Sequence, residues 1–128
     1  MRATPFGNRY LLTLLPGEEI IASLREFCRR EQIRAAAFTG LGGVARVTLA
    51  SGGPAGATVS RRFALAPLNG SIMPHGHGLA IRCRIALDGN DREPAQTGWL
   101  TAAVVSGSCE LVFEPLARGP AATLAAAA

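Results

Sequence analysis

One segment of this sequence has the apolar spacing of a helix, and the patterned segments around it have the character of strands. Between residues 16 and 32, apolar side chains recur at three- and four-residue intervals, namely at Ile20, Ile21, Leu24, Phe27 and Cys28. Glu18 and Glu19 fall in the predicted first turn and Arg29 and Arg30 in the last, which favours the helix dipole. The apolar face of a single helix needs a sheet to cover it.

The remaining apolar segments predict that sheet. Seven of them have the runs or the alternation of β-strands: residues 9–15, 35–40, 44–50, 61–68, 79–87, 99–105 and 109–113. Glycine-rich turns at Leu41-Gly42-Gly43 and Ser106-Gly107-Ser108 are expected to close hairpins, and Asn69-Gly70 to form a turn. Residues 51–57, 73–78 and 88–97 are expected to be loops. We therefore predict an α+β fold: a curved, mainly antiparallel sheet of about seven strands with one flanking helix.

Length and composition set the scale of the core. The chain has 128 residues, which suits one domain, expected over residues 1–115, followed by an Ala-rich, poorly ordered tail over 116–128. Hydrophobic residues make up 48% of the sequence but aromatic residues only 5%, so the core must be built from small aliphatic side chains. Small side chains bury little area each, which favours a homo-oligomer.

Charge and cysteine content narrow the function classes. The net charge of +4 is carried by arginines scattered along the chain, whereas a phosphate-tracking surface needs clustering on one face. Cys28, Cys83 and Cys109 lack metal-ligand or disulfide spacing and are expected to be buried.

No signal-like apolar core follows the N-terminal residues, so a cytoplasmic location is expected. We find no acid/base or nucleophile set, which favours a non-enzymatic protein.

An ordered set of segments resembles the plant and prokaryote conserved domain (PPC, also written PCC), which accompanies AT-hooks in plant nuclear proteins and stands alone in prokaryotes. The segments are LPGEEIIASLREFCRREQI, FTGLGGVARVTL, SRRFALAPLNGSI and GWLTAAVVSGSCELVF, and the match spans about residues 9–114. The resemblance implies a curved antiparallel sheet, a flanking helix and a homotrimer assembled through sheet surfaces. It also raises DNA association, although the AT-hook core is missing and only the fragment Arg118-Gly119-Pro120 is present.

The resemblance also suggests a partner-binding segment. Residues 62–65 correspond to a stretch that supports protein interactions in plant members of the family. Arg62, Phe63 and Leu65 would then contact a partner protein, but Arg61 stands where glycine is usual and Ala64 where glutamate is usual. The structural alternative places both Phe63 and Leu65 on the inner face of a buried strand.

Prokaryotic relatives carry a His-x-His on one strand and a third histidine in a following turn, together resembling a metal site. Here Arg82-Cys83-Arg84 takes the place of the pair and Trp99 that of the third residue, so no metal cofactor is expected at this site. His75 and His77 lie in a Pro/Gly loop and make only a weak two-ligand site.

Arg82, Arg84 and Trp99 predict an anion or carboxylate pocket, because arginine offers paired donors and tryptophan an apolar or cation–π wall. The alternatives are that Asp88, Glu110 or Glu114 neutralises the arginines or that they are solvated. Three functions remain open: a trimeric binding module, a DNA-associated protein that binds weakly and without sequence preference, and a small-molecule protein or enzyme that uses this face.

Overall fold

The computed structural model describes residues 1–50 and 57–119, which form one helix and seven strands. In chain order the elements are β1 (Arg2–Phe6), β2 (Arg9–Leu14), α1 (Ile20–Arg30), β3 (Ile33–Ala50), β4 (Ala57–Val59), β5 (Phe63–His75), β6 (Gly78–Leu87) and β7 (Gln96–Arg118). The predicted α+β class is confirmed. Over the described residues, no helix is long and apolar enough to cross a membrane.

All seven strands belong to one antiparallel sheet that closes on itself. The strand order is β1-β2-β7-β6-β5-β3-β4, and β3 additionally pairs with β7. A continuous hydrogen-bonded circuit therefore runs through β3, β5, β6 and β7. Helix α1 packs against β3, β6 and β7, and its buried residues share one hydrophobic core with the inward side chains of the sheet.

The predicted helix is confirmed but is shorter at its start. It begins at Ile20, and Glu19 caps it by accepting hydrogen bonds from the amides of Ile21 (3.0 Å) and Ala22 (2.8 Å). Gly17 and Glu18 bond to β7 instead: the amide of Gly17 donates to the carbonyl oxygen of Val105, and the amide of Val105 donates to the carbonyl oxygen of Glu18 (both 2.8 Å). The two glutamates therefore precede the helix rather than occupy its first turn.

Two predicted hairpins are wrong. β3 and β7 are continuous strands that pair with each other along their length, so neither Leu41-Gly42-Gly43 nor Ser106-Gly107-Ser108 reverses the chain. Gly42 pairs with Cys109 and Val44 with Val105, so one residue of β3 faces three of β7 at this point. The two glycine-containing segments thus lie opposite one another and form a shared irregularity in the sheet rather than two turns.

The predicted turn at Asn69-Gly70 is also wrong, because β5 runs through it without interruption. The expected loop over residues 73–78 is reduced to Gly76 and His77, which join β5 to β6, with Gly76 in the left-handed region (φ +59°). Asn-Gly favours a turn locally, but here both residues pair with β3 on one side and β6 on the other.

At its N-terminal end the chain contains a strand that its sequence pattern does not predict. β1 pairs with β2 through a hairpin at Gly7 (φ +59°), and most of its side chains are exposed, so it lacks an apolar signature.

Of the expected loop over residues 51–57, only Ala57 is described, and it begins β4. Of the expected tail over 116–128, residues 116–118 belong to β7 and 120–128 lie outside the described residues.

Candidate functional site

β6 lies between β5 and β7 and presents two arginines on its outer face. Cys83, Ile85 and Leu87 are buried on the inner face, whereas Arg82 and Arg84 are exposed. This confirms the alternation predicted from the sequence, because successive side chains of a strand point to opposite faces.

Trp99 of β7 lies beside both arginines. It pairs directly with Arg84 in the β6–β7 register. The central guanidinium carbon of Arg82 lies 4.7 Å from the centroid of the indole ring and that of Arg84 lies 5.5 Å from it, which are cation–π distances. The indole remains 39% exposed. The structure therefore brings together the three residues that the sequence singled out, in a position open to solvent.

Next to this group is an open pocket of about 350 Å³, lined by Phe38, Asn69, Gly70, Ser71, Arg82 and Trp99. Asn69 pairs with Arg84 and Ser71 with Arg82 across β5 and β6, which adds an amide and a hydroxyl to the arginines. Neither polar residue was predicted to belong to the site, because the predicted strand ends at residue 68, before both of them. A strand continued through residue 71 would have placed them on the arginine face by alternation alone.

Gly70 allows the two strands to meet at this point. A Cβ atom at this position would collide with the carbonyl oxygen of Arg82 and would lie 2.7 Å from Cζ of Phe38. The pocket floor therefore depends on a residue without a side chain.

The two arginines have no acidic partner in the described part of the chain. The side-chain ion pairs there join Arg29 to Glu26, Arg30 to Glu31 and Arg61 to Glu93. Asp88, Glu110 and Glu114, which the sequence offered as neutralising groups, form no ion pair with Arg82 or Arg84 among residues 1–50 and 57–119. The site is cationic, and its pocket has no carboxylate, imidazole or thiol in its lining.

The two histidines lie at the other end of β6. His75 is the last residue of β5 and pairs with Gly78, and His77 lies in the connecting turn; both are exposed. Within the described ranges, no three His, Cys, Asp or Glu side chains come together as metal ligands. The structure supplies no third ligand of these types for the pair.

The predicted partner-binding segment is divided between the two faces of the sheet. Phe63 is buried and Arg62 is exposed, but Leu65 is 66% exposed, so the expectation that Leu65 faces inward with Phe63 is wrong. The reason is a bulge: Val44 pairs with Phe63 and Gly42 with Ala66, so the alternation shifts between these pairs.

The three cysteines are free and buried, as predicted. Burial raises the pKa of Cys83 to about 12, and the pKa of Cys28 and of Cys109 to about 11. Their thiols are therefore protonated near neutral pH and unsuited to nucleophilic or redox chemistry.

A closed antiparallel sheet packed on one helix, with two exposed arginines beside an indole on its outer face, defines a small α+β domain. The Plants and Prokaryotes Conserved (PCC) domain model matches residues 1–117, and the chain belongs to this family. A search of curated proteins finds no match.

Solved structures share the fold. A candidate DNA-binding protein from Bacteroides thetaiotaomicron has a TM-score of 0.78 at 23% identity, with 91% of this chain and 84% of that chain covered. A plant- and prokaryote-conserved protein from Pyrococcus horikoshii has a TM-score of 0.73 at 20% identity, with coverage of 89% and 82%. A metal-containing protein from Archaeoglobus fulgidus has a TM-score of 0.67 at 21% identity, with coverage of 94% and 89%.

The residues present here do not fit a metal at the position that the family resemblance indicates. Arg82 and Arg84 stay protonated and have no lone pair to donate, and an indole donates only a hydrogen. The Arg82, Arg84 and Trp99 side chains therefore offer no ligands for a metal ion at this position.

Proposed function

We propose that this protein is a self-associating binding domain that recognises an anionic small molecule at the Arg82/Arg84/Trp99 site and has no catalytic chemistry of its own. One observation carries the proposal: two guanidiniums lie over one exposed indole without an acidic partner among the described residues. Each guanidinium presents fixed N–H donors that match carboxylate or phosphate oxygens.

The neighbouring pocket supports binding more than catalysis. Asn69 and Ser71 supply neutral polar groups, and Phe38 and Trp99 supply apolar contact, but the lining contains no carboxylate, imidazole or thiol. An enzyme that acts on an anionic substrate would need a base or a nucleophile in this place. A ligand held here would be recognised by charge and shape.

The test is the thermal stabilisation of the protein by phosphate, sulfate and small carboxylates. We expect these anions to raise the melting temperature of the wild type and to lose that effect in an Arg82→Ala, Arg84→Ala double variant. An Arg2→Ala, Arg92→Ala double variant is the control, because it removes the same charge from exposed positions on other elements. Equal shifts in all three proteins would show that the effect is not specific to the site.

We further propose that the assembly is a homotrimer. Leu41, Leu65 and Val112 are exposed on three neighbouring strands and, together with Leu11, line a depression of about 420 Å³ on the outer surface. Apolar patches of this kind commonly mark contacts between proteins.

Sedimentation should give a mass of about 40 kDa, three times the 13.3 kDa of one chain. Leu65→Asp should lower that mass, whereas Leu15→Asp, at an exposed leucine between β2 and α1, should not. A wild type that sediments as a single chain at micromolar concentration would contradict the trimer.

DNA is the second candidate partner. The net charge of +4 and the fold shared with a candidate DNA-binding protein favour it. We expect weak binding without sequence preference, measured by fluorescence anisotropy on two unrelated duplexes. The affinity should fall steeply between low and moderate salt as counterion release is suppressed. An affinity that does not change with salt would exclude this mode.

A further inference from the structure

Arg34, at the start of β3, is the one charged side chain that is buried among the described residues. It is only 9% exposed. One terminal nitrogen donates to the carbonyl of Gly78 at 3.2 Å, but the buried Nε has no hydrogen-bond partner. No acidic side chain in residues 1–50 or 57–119 pairs with it. A buried guanidinium with an unmade hydrogen bond costs stability, so its presence needs an explanation.

Arg34 lines a cleft of about 420 Å³ between α1, the start of β3 and the turn from β5 to β6. Arg25 and Arg29 from α1 and His77 from the turn also line it, and it has no Asp or Glu in its lining. Arg25 is held in place by a hydrogen bond to the carbonyl of Leu79 (2.8 Å). Arg29 is partly neutralised, since it pairs with Glu26 at 2.6 Å.

Part of the remaining wall is apolar. Leu79 is half-buried at the cleft, Cys28 and Ile33 lie almost wholly buried beneath it, and Gln32 adds a polar side chain. A volume of about 420 Å³ lies within the range typical of small-molecule sites. The cleft has positive charge in one part and apolar surface in another. This combination suits a ligand with an anionic head and an apolar body.

We propose that this cleft binds a small organic anion whose carboxylate or phosphate head pairs with the guanidinium of Arg34, beside Arg25. The anion supplies the counter-charge that the buried guanidinium and the cleft lack. The apolar part of the ligand lies against Leu79.

This site is distinct from the Arg82/Arg84/Trp99 site. The two pockets share no lining residue, and Arg34 is buried at the start of β3 whereas Arg82 and Arg84 stand on the outer face of β6. The two proposals can therefore fail separately.

The experiment measures binding of hexanoate and hexyl phosphate by calorimetry and by thermal shift, at fixed ionic strength, with acetate and hexylamine as comparisons. The wild type should bind both hexyl anions more tightly than acetate and should not respond to the amine. Arg34→Met should weaken binding about tenfold or more, because it removes a charge-assisted hydrogen bond. Arg92→Met, which removes the same charge from an exposed loop, should bind as the wild type does.

Two further variants keep the test decisive. Arg34→Lys keeps the charge but loses the planar fork, and should bind more weakly than the wild type even if Arg34→Met fails to fold. The Arg82→Ala, Arg84→Ala double variant should retain binding. Unchanged affinity in the folded Arg34 variants, or equal loss in Arg92→Met, would overturn the proposal; loss in the double variant would assign the anion to the other site.

The unliganded proteins give an independent readout. If Arg34 serves a ligand, Arg34→Met should melt no lower than the wild type when no anion is added, because it removes a buried charge without a partner. A large fall in its melting temperature would instead give Arg34 a purely structural role.

Discussion

Glu19 joins the start of the helix to the middle of β7. One carboxylate oxygen accepts from the backbone amide of Ala103 at 2.9 Å, and the carboxylate also caps the helix through the amides of Ile21 and Ala22. A single side chain thus satisfies donors from two elements that are distant in sequence.

We expect Glu19→Ala to lower the free energy of unfolding by about 2–3 kcal/mol, because it removes a helix cap and leaves the amide of buried Ala103 without an acceptor. Urea denaturation measures the change. Glu26→Ala is the control on the exposed face of the same helix and should stay close to the wild type. Equal losses in both variants would mean that Glu19 acts only through the helix and not through β7.

Gly40 is required where β3 pairs with β7 beside Glu110. A Cβ atom on Gly40 would collide with the backbone carbonyl of Glu110, which cannot move without breaking the sheet. We expect Gly40→Ala to cost about 3 kcal/mol or more, or to prevent folding. Gly107→Ala should change stability by less than about 0.5 kcal/mol, since nothing lies within 4 Å of the added atom and its backbone needs no left-handed conformation.

The same pair of variants tests whether β7 is continuous through residues 106–108 or turns there. A hairpin turn at Ser106-Gly107-Ser108 would make Gly107→Ala costly, whereas the continuous β7 makes it neutral. Thermal unfolding of both variants, followed by circular dichroism, is sufficient.

The buried thiols predict a loss of stability at alkaline pH. Burial raises the pKa of Cys83 from about 9 to about 12, so the folded state keeps a proton that the unfolded chain releases. This contribution is fully present below about pH 9 and is lost as the pH rises toward 12, by about 1.4 kcal/mol per pH unit for each thiol. Cys83→Ala should be less stable at pH 7 but show a shallower decline above pH 9 than the wild type. Parallel declines in the two proteins would contradict this assignment.

Three substitutions should convert the Arg82/Arg84/Trp99 site into a metal site. Arg84 and Trp99 are directly paired across β6 and β7, and Arg82 lies two residues from Arg84 on the same face. Imidazoles at these positions would be close enough for three-nitrogen coordination. A variant with Arg82→His, Arg84→His and Trp99→His should gain thermal stabilisation from Zn²⁺ that a chelator reverses. The wild type, tested in parallel, should show none at this site, and a triple variant without zinc binding would show that the register does not bring the positions together.

The sequence predicted the helix, the antiparallel sheet and the arginine face of β6, because apolar periodicity reports directly on which side chains are buried. The number of strands agrees only because two pairs of predicted strands are the single strands β3 and β7, whereas β1 and β4 were not predicted. Prediction from the sequence failed at positions where the residues favour a turn locally but pair with distant strands in the fold. Asn69-Gly70 and the segments around Gly43 and Gly107 have turn residues, but pairing with distant strands holds them extended.

The residues of the candidate sites likewise fall into those that a local sequence pattern predicts and those that it does not. Arg82 and Arg84 were predictable from alternation on one strand, and Trp99 from its place in the family pattern. Asn69, Ser71 and Arg34 were not, since their roles depend on register and burial that no local pattern encodes. Arg34 in particular follows a buried isoleucine in a segment with no charge pattern of its own.

In the closed circuit of β3, β5, β6 and β7, the position of the β6 backbone does not depend on the side chains of its outer face. Hydrogen bonds on both flanks hold the strand, and its inward residues anchor it in the core, so the outer positions bear little of the folding energy. Substitutions at the outer positions of β6 can then change the chemistry of this face without altering the frame. A domain built in this way can keep its shape while the side chains that it displays change.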